Sequence, residues 1–366
     1  MKRVPSHLTK KLEERRSTGS LRCLKELNGV DFSSNDYLGF ARNQNLIDKI
    51  NKVYACTSQH MGSTGSRLLS GNSSFVEEIE IGLANFFKEE TALLYNSGYA
   101  ANTGLLSCIA QRKDTIIYDQ LCHASIRDGI KLSNASNFGF KHNNLADLNK
   151  KLDAAIGEKF IIIESVYSMD GDLAPLKEIE KICKERGAYL IVDEAHSTGI
   201  YGENGEGMCV QAGIETFARI HTFGKALGAH GACINGSKQL KEYLINFSRP
   251  FIYTTAMPLH SLVCIQEAIN YLPKAIEERA QLFKNIELYN LKMEDVGNSP
   301  IKTAIVPGNK EVKAVANSLQ DQGFLVYPIL SPTIPAGEER IRICLHAFNT
   351  EEEIIGMVEN LKVLEK

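Results

Sequence analysis

Short, almost wholly apolar runs recur through the first two thirds of the chain, and helical patterns or polar turns separate them. Phe160–Glu164 and Ala188–Asp193 are apolar enough to be strands buried on both faces. Between them, apolar positions at helical spacing over Leu176–Arg186 predict a helix that Gly187 ends. The predicted strands of this region are Ala92–Tyr95, Thr115–Asp119, Phe160–Glu164, Ala188–Asp193 and Ala218–Phe223. This alternation of strands and helices predicts an α/β fold with a mostly parallel sheet covered by helices.

Three helices are predicted before the first of these strands. Leu8–Arg16 reads as a short charged helix, and Ile47–Tyr54 has a helical pattern. Ser74–Glu77 carries a capping-box pattern and opens a longer helix that runs to about Lys88. The polar and glycine-rich segments between them are predicted loops.

The pattern changes after Pro250, where longer helices and fewer strands follow. The elements predicted there are the helices Leu259–Tyr271, Ile276–Asp295, Glu311–Gln322 and Thr350–Leu364, and the strands Ile301–Val306, Phe324–Tyr327 and Arg340–Leu345. We therefore expect an N-terminal arm over residues 1–44, a large domain over 45–255 and a smaller α+β domain over 256–366.

Composition narrows the class of protein. The 366 residues are 43% hydrophobic and 23% charged, which is ordinary for a globular protein. A net charge of -3 gives no electrostatic case for binding nucleic acid. The nine cysteines show no CxxC spacing, so reduced thiols in a cytoplasmic protein are favoured over disulfides. No secretory signal and no membrane-spanning run is predicted, and no metal site is expected.

One lysine stands in an unusual setting. Lys225 lies among small and apolar residues, with glycine at positions 224, 228 and 231. Burial disfavours the charged form of an amine, and a neutral amine can form a Schiff base with an aldehyde. Lys225 is therefore a candidate to carry an aldehyde cofactor. The alternative from this stretch alone is a glycine-rich turn with an exposed lysine.

Two candidate residues lie at the end of a predicted buried strand. Asp193 ends the run Ala188–Asp193, and His196 follows three residues later. Ligands of open α/β sheets bind at the carboxyl ends of strands, and a carboxylate there can keep a pyridine nitrogen protonated. Taken singly, Asp193 is better explained as a turn cap and His196 as a turn residue.

A phosphate site is indicated where another strand runs into a helix. Ser97-Gly98-Tyr99 precedes a predicted helix, whose free N–H groups and dipole can hold a phosphate. Thr222, three residues before Lys225, can add a hydroxyl donor. Such a turn on its own is found in many α/β proteins.

Two further loops carry residues with chemistry. In Leu121–Ser125, a Cys122–His123 dyad would need both side chains on one face, and adjacent residues of an extended segment point to opposite faces. We therefore interpret His123 as an aromatic ring stacked on a flat cofactor, with a loop histidine as the alternative. In Glu164–Asp172, the carboxylates Asp170 and Asp172 could indicate a metal or an acid pair, although solvated loop residues explain them better.

The order of these features resembles one family. The motifs that carry the resemblance are Asp31–Gly39, Glu164–Asp172, Asp193–Gly199 and Thr222–Lys225. In them the chain resembles the α-oxoamine synthases, enzymes of the fold-type I aminotransferase superfamily that use pyridoxal 5′-phosphate (PLP). The resemblance covers nearly the whole chain, and it implies a seven-stranded, mostly parallel sheet in the large domain.

The resemblance implies roles around the cofactor ring. Lys225 would hold PLP as a Schiff base and move the α-proton of the substrate. Asp193 would pair with the pyridine nitrogen, His196 would bond the ring hydroxyl, and His123 would stack on the ring. Glu164 would also belong to the cofactor site.

The resemblance also implies how substrates and a second subunit are used. Thr254 and Thr255 resemble the segment that reaches the phosphate from a neighbouring subunit, so a homodimer is expected. Asn35, Ser168 and Arg342 match positions that handle the amino-acid substrate, and Arg342 would grip its carboxylate. Ser168 would lie beside the cofactor as well.

The implied reaction is a decarboxylative condensation of an amino acid with an acyl-CoA, in which CoA and CO2 leave. Alanine and pimeloyl-CoA are favoured because Arg22 matches an arginine that contacts the pimeloyl end. The alternatives are glycine with acetyl-CoA, as in glycine C-acetyltransferase, and another acyl-CoA pair of the family. A protein that kept the fold but lost catalysis is a further alternative. A nicotinamide dehydrogenase is not indicated, since no G-x-G-x-x-G follows an early strand.

Overall fold

The computed structural model describes residues 4–26, 28–57 and 60–364, which form two compact units. The larger unit comprises Asn35–Ser168 and Asp172–Arg279. The smaller unit comprises Met1–Ser34, Met169–Gly171 and Ala280–Lys366, as far as these ranges are described. These limits differ from the predicted boundaries after residues 44 and 255, and the three-part division stays a prediction.

The secondary structure follows the predicted order. The helices are α1 (Ser6–Ser17), α2 (Gln44–Ala55), α3 (Ser74–Phe86), α4 (Gly98–Leu106), α5 (Ala124–Leu132), α6 (Leu145–Asp153), α7 (Leu176–Arg186), α8 (Met208–Ala212), α9 (Lys238–Phe247), α10 (Arg249–Ile252), α11 (Leu259–Tyr271), α12 (Ile276–Met293), α13 (Asn309–Asp321) and α14 (Glu351–Leu364). The strands are β1 (Val30–Asp31), β2 (Thr91–Tyr95), β3 (Thr115–Asp119), β4 (Ser136–Phe140), β5 (Lys159–Glu164), β6 (Ala188–Asp193), β7 (Ala218–Thr222), β8 (Ala232–Gly236), β9 (Ile301–Ile305), β10 (Phe324–Leu325), β11 (Tyr327–Ile329) and β12 (Arg340–Cys344). Gly187 ends α7 in the left-handed conformation with φ 58°, as predicted.

The larger unit is built on a seven-stranded sheet in the order β2-β8-β7-β6-β5-β3-β4. Only β8 runs antiparallel to its neighbours β2 and β7, and the other adjacent pairs are parallel. The predicted α/β fold with a mostly parallel seven-stranded sheet is therefore confirmed. The central strands are buried, with Ile161, Ile163 and Ile191 fully enclosed. Burial on both faces explains why these strands read as continuous apolar runs rather than as alternating patterns.

Two strands of this sheet were not predicted from the sequence. β4 lies at the sheet edge and exposes Ser136 and Asn137, so it lacks an apolar run. β8 has an apolar run only over Ala232–Ile234, followed by the buried Asn235, whose Nδ2 donates to the Thr91 carbonyl oxygen at 3.2 Å. The apolar run of β8 is shorter than the runs that predict a buried strand.

The N-cap of α3 also differs from the prediction by one residue. Ser73, rather than Ser74, has the extended backbone of an N-cap, and its side chain accepts from the Val76 N–H at 3.4 Å. The helix itself begins at Ser74 and ends at Phe86, two residues before the predicted end at Lys88.

The smaller unit contains two short sheets. β11, β12 and β9 form an antiparallel sheet in that order, and β1 pairs in parallel with β10. The predicted single strand Phe324–Tyr327 is wrong, because its residues divide between β10 and β11, which belong to different sheets. In the described part of the chain, no helix has both the length and the apolar character needed to cross a bilayer.

Candidate active site

Several strands of the large sheet end at one cavity. β2 runs into α4 through Ser97, β5 ends at Glu164, and β6 ends at Asp193, where these two carboxylates lie opposite each other in register. The cavity has a volume of about 220 Å³. It is lined by Ser97, Gly98, Tyr99, Asn102, His123, Ser125, Glu164, Asp193, Ala195, His196, Thr222, Gly224, Lys225, His230 and Gly231. The rule that ligands bind at the carboxyl ends of strands therefore located the cavity correctly.

Asp193 is buried and held by two hydrogen bonds. Asn102 Nδ2 donates to Asp193 Oδ2 at 2.7 Å, and the Ala195 N–H donates to Asp193 Oδ1 at 2.9 Å. The second bond is the turn cap that the sequence offered as an alternative, so Asp193 both caps the turn and faces the cavity. Asn102 Oδ1 is buried and has no hydrogen-bond partner among the described residues. This corner of the cavity therefore presents a fixed carboxylate beside an unsatisfied acceptor.

His123 presents a neutral ring to the cavity. It is the N-cap of α5, and its Nδ1 accepts from the Ser125 N–H at 3.2 Å and contacts Ser125 Oγ at 2.8 Å. Burial is the largest influence on the pKa of His123 and lowers it. Cys122 points the other way, into the core, where its thiol donates to the Ile162 carbonyl oxygen. Burial raises the pKa of Cys122 well above its usual value, so a Cys122–His123 nucleophilic pair is excluded.

A chain of polar side chains leads to the candidate lysine. Lys225 Nζ lies 3.0 Å from His196 Nε2, and His196 Nδ1 lies 2.8 Å from the Tyr37 hydroxyl. The Tyr37 hydroxyl in turn donates to Asn35 Oδ1 at 3.0 Å. Lys225 is half-buried, whereas Tyr37 is fully buried. The structure thus joins two predicted residues, His196 and Lys225, and adds a tyrosine that the sequence did not single out.

The predicted phosphate turn forms the opposite wall of the cavity. Ser97 is the N-cap of α4, and its hydroxyl accepts from the Ala100 N–H at 3.1 Å. The N–H groups of the first helical turn, which include those of Gly98 and Tyr99, have no acceptors within the helix and can bind an anion. A Cβ at Gly98 would lie 2.4 Å from the Cγ2 of Thr222, so only glycine lets the helix approach Thr222 this closely. Tyr99 is half exposed and donates to Asp128 Oδ2 at 2.5 Å.

Glu164 is a second buried carboxyl group beside Asp193. Its Oε1 accepts a short hydrogen bond from the His123 N–H, and the Ser168 N–H also donates to its carboxylate. Burial, with Asp193 as the next contribution, raises the pKa of Glu164 above its usual value. Ser168 is buried and contacts Glu164 through its backbone, although its side chain does not line the cavity.

His142 ties the loop after β5 to the end of β3. Its Nδ1 bonds Asp119 Oδ1 at 2.9 Å, and its Nε2 forms a short bond with Asp172 Oδ2. Burial lowers the pKa of His142, but the bonds to these two carboxylates outweigh it and raise that pKa to about 9. In the smaller unit, Asp170 pairs with Arg340. The metal interpretation of Asp170 and Asp172 is therefore not supported, and the described residues contain no group suited to a metal ion.

Two predicted residues of the larger unit, Thr254 and Thr255, do not line the cavity, and two others, Arg22 and Arg342, belong to the smaller unit. Thr254 and Thr255 are bonded by Asn96 Nδ2, at 3.3 Å to Thr254 Oγ1 and 2.9 Å to the Thr255 carbonyl oxygen. In the smaller unit, Arg22 Nη2 donates to Thr333 Oγ1 at 2.8 Å. There too, Arg342 is half-buried in β12, with Nη1 2.8 Å from Cys344 Sγ. The substrate and partner-subunit roles of these four residues stay predictions.

Asn102 and Tyr37 are the residues that sequence reasoning missed. Asn102 lies in the middle of α4, where asparagine is a poor helix former, and its neighbours in the helix are buried. A polar residue in an otherwise buried helix is a signal for a bonded partner, but the partner Asp193 is 91 residues away. Tyr37 lies in the polar loop Asn35–Gly39, where nothing distinguishes it from a core aromatic.

The chain is similar in sequence and in structure to several named enzymes. The family model for aminotransferase class I and II matches residues 28–361. An 8-amino-7-oxononanoate synthase of Emericella nidulans is 40% identical over 370 residues, covering 91% of this chain and 88% of that protein. The structure of the 8-amino-7-oxononanoate synthase of Francisella tularensis aligns with a TM-score of 0.79 at 29% identity, covering 92% of this chain and 98% of that one. A serine palmitoyltransferase variant of S. paucimobilis, solved with bound PLP–myriocin, aligns with a TM-score of 0.88 at 26% identity, covering 98% and 96%.

Proposed function

The chain belongs to the aminotransferase class I and II family, and we propose that it is a PLP-dependent acyltransferase that condenses L-alanine with pimeloyl-CoA. The products are 8-amino-7-oxononanoate, CoA and CO2. The motif resemblance to the α-oxoamine synthases is confirmed by relatives that are 36–40% identical over most of the chain. The observation that carries the proposal is the grouping of Lys225, His196, Asp193 and His123 around one cavity beside a helix N-terminus.

The cavity residues fit PLP in chemistry and arrangement. Asp193 offers a buried carboxylate to a pyridine N–H, and the unsatisfied Asn102 Oδ1 lies in the same corner. His123 offers a neutral aromatic face. The N-terminus of α4 and the Thr222 hydroxyl offer hydrogen-bond donors to a phosphate, while Lys225 supplies an amine for an aldehyde.

PLP supplies an aldehyde that binds the substrate amine and a ring that stabilises negative charge on the adjacent carbon. Asp193 is held by Asn102 and the Ala195 N–H and lines the cavity. A carboxylate at that place favours a protonated pyridine nitrogen, which strengthens the ring as an electron acceptor. His123 lines the cavity, where its aromatic ring can stack on the cofactor ring.

Lys225 has two tasks in this proposal. Its Nζ would hold the cofactor aldehyde, and as a free amine it would accept the proton from the alanine Cα. A C–C bond then forms between that carbon and the pimeloyl carbonyl carbon as the C–S bond to CoA breaks. The bond between Cα and the alanine carboxyl carbon breaks to release CO2, and a proton returned to Cα restores the C–H bond. The half-buried position of Lys225 beside His196 suits a group that gains and loses a proton.

The assembly and substrate contacts belong to the same proposal. We infer a homodimer in which Thr254 and Thr255 of one subunit serve the phosphate site of the other. Arg342 would hold the alanine carboxylate, and Arg22 would contact the free carboxylate of the pimeloyl chain. All nine cysteines are free thiols, which suits a cytoplasmic enzyme.

Product identification tests the proposal directly. The full chain is loaded with PLP, supplied with L-alanine and pimeloyl-CoA, and the product is identified by mass spectrometry. Glycine with acetyl-CoA and L-serine with palmitoyl-CoA are run in parallel, and preferential turnover of either pair would replace the proposed substrates. Borohydride reduction should trap PLP on Lys225 in the wild type and not in Lys225→Ala. Failure to bind PLP would reject the whole enzyme assignment, including its cofactor.

A further inference from the structure

A buried tyrosine next to the candidate lysine carries an inference about proton positions. Tyr37 has no exposed surface, and its hydroxyl lies between Asn35 Oδ1 and His196 Nδ1. A phenol has one hydrogen to donate, and an amide oxygen can only accept. The Tyr37 hydrogen is therefore used on Asn35, and the 2.8 Å contact with His196 Nδ1 must use a hydrogen carried by that nitrogen.

This assignment fixes the other nitrogen of the His196 ring. In a neutral imidazole one nitrogen donates and the other accepts. With the hydrogen on Nδ1, the Nε2 lone pair points at Lys225 Nζ, 3.0 Å away. The opposite tautomer would place an N–H of His196 against the ammonium form of Lys225, so two donors would face each other.

The backbone holds Tyr37 in place from two directions. The loop before it turns through Gly39, whose φ is 73° and whose N–H donates to the Asp36 carbonyl oxygen at 2.9 Å. A Cβ at Gly228 would lie 2.3 Å from the Ala41 nitrogen, so the loop that carries Lys225 packs directly on the segment that follows Tyr37. The distances between Tyr37, His196 and Lys225 are thus set by backbone contact as well as by side-chain bonds.

We propose that Tyr37 is a positioning residue that keeps the hydrogen of neutral His196 on Nδ1, so that Nε2 accepts a proton from Lys225. The transfer is balanced within the pair. The Lys225 ammonium loses one proton and becomes a neutral amine. His196 gains that proton on Nε2 and becomes an imidazolium, whose Nδ1–H still donates to the Tyr37 hydroxyl. A neutral amine is the form that attacks an aldehyde. The expected effect on the rate of PLP binding rests on the proposed function, whereas the position of the ring hydrogen of His196 does not.

The tautomer is tested on the full chain without cofactor. Histidine is labelled with ¹⁵N, the His196 signals are assigned with His196→Gln, and two-bond ¹H–¹⁵N spectra distinguish a protonated ring nitrogen from an unprotonated one. We expect wild-type Nδ1 to be protonated and Nε2 unprotonated. Asn35→Leu frees the Tyr37 hydrogen for His196 Nδ1 and should move the ring hydrogen to Nε2, whereas Asn35→Asp keeps an acceptor and should preserve the wild-type state. Protonated Nε2 in the neutral wild-type ring, or no change in Asn35→Leu, would overturn the proposal.

Cofactor capture gives the second readout. The rate at which the chain binds PLP is followed by absorbance near neutral pH, and we expect Tyr37→Phe to slow it by about tenfold, which corresponds to about 1.4 kcal/mol. Tyr95→Phe is the matched control, because Tyr95 is also buried and its hydroxyl donates to Ser248 Oγ at 2.9 Å, away from His196. An equal slowing in both variants would show a general packing effect and reject the positioning role. If the wild type has the expected tautomer but does not bind PLP, the proposed function fails and the tautomer assignment stands.

Discussion

Replacing Gly98 by alanine tests whether the close approach of α4 to Thr222 builds the phosphate site. The added Cβ would lie 2.4 Å from Thr222 Cγ2, against at least 3.4 Å for an ordinary contact, so one side must move by about 1 Å. Overpacking of this kind costs about 1–3 kcal/mol, while replacing glycine by alanine in a helix returns at most about 1 kcal/mol. We therefore expect a loss of up to about 3 kcal/mol in the free energy of unfolding of the cofactor-free chain.

The same displacement should weaken PLP binding, because it moves the N–H groups of the first turn of α4 away from their present position. A loss of about 1.4 kcal/mol would raise the Kd about tenfold, measured by absorbance titration. Thr222→Ser removes only the Cγ2 methyl and keeps the hydroxyl, so Gly98→Ala with Thr222→Ser should recover most of the affinity. Gly82→Ala in α3 is the control, since its Cβ would meet nothing within 4 Å. Wild-type affinity in Gly98→Ala, or no recovery in the double variant, would refute the steric reasoning.

Two further predictions follow from bonded pairs in the larger unit. Asn102→Leu removes the donor to Asp193 and leaves a buried carboxylate without one of its hydrogen bonds. The affinity for PLP should therefore fall by about tenfold or more. Unchanged affinity in an absorbance titration would contradict this prediction. His142, paired with Asp119 and Asp172, has its pKa raised to about 9, so its stabilising effect should be complete below about pH 6.5 and lost as pH rises through 9. The difference in unfolding free energy between wild type and His142→Gln should therefore shrink over that range, by at most about 3 kcal/mol, and a difference that does not vary with pH would count against the ion pairs.

The sequence predicted those parts of the fold and site that depend on local patterns. Buried parallel strands produce apolar runs, and the residues just after them, such as Asp193 and His196, meet at one edge of the sheet. Lys225 was recognised because a lysine among glycines and apolar residues is unusual. The order of these residues along the chain then identified the family, which no single residue did.

The remaining parts depend on contacts between distant segments. Asn102 acts on Asp193 across 91 positions, and Tyr37 acts on His196 across 159. Strand β8 has only a short apolar run, because its buried polar residue Asn235 interrupts it and is satisfied by the neighbouring strand. Local periodicity contains no information about such pairings, since they arise only when the sheet forms.

The connection between β7 and β8 sets how the enzyme behaves when it loses its cofactor. Backbone bonds join Phe223 N–H to Gly231 O, Ala229 N–H to Phe223 O and Gly228 N–H to Lys225 O, each at 2.9 Å. The lysine-bearing loop is thus held by bonds between its own backbone groups. Loss and rebinding of PLP should therefore be reversible without refolding of this loop. The supply of PLP, rather than refolding of the polypeptide, would then limit the recovery of activity.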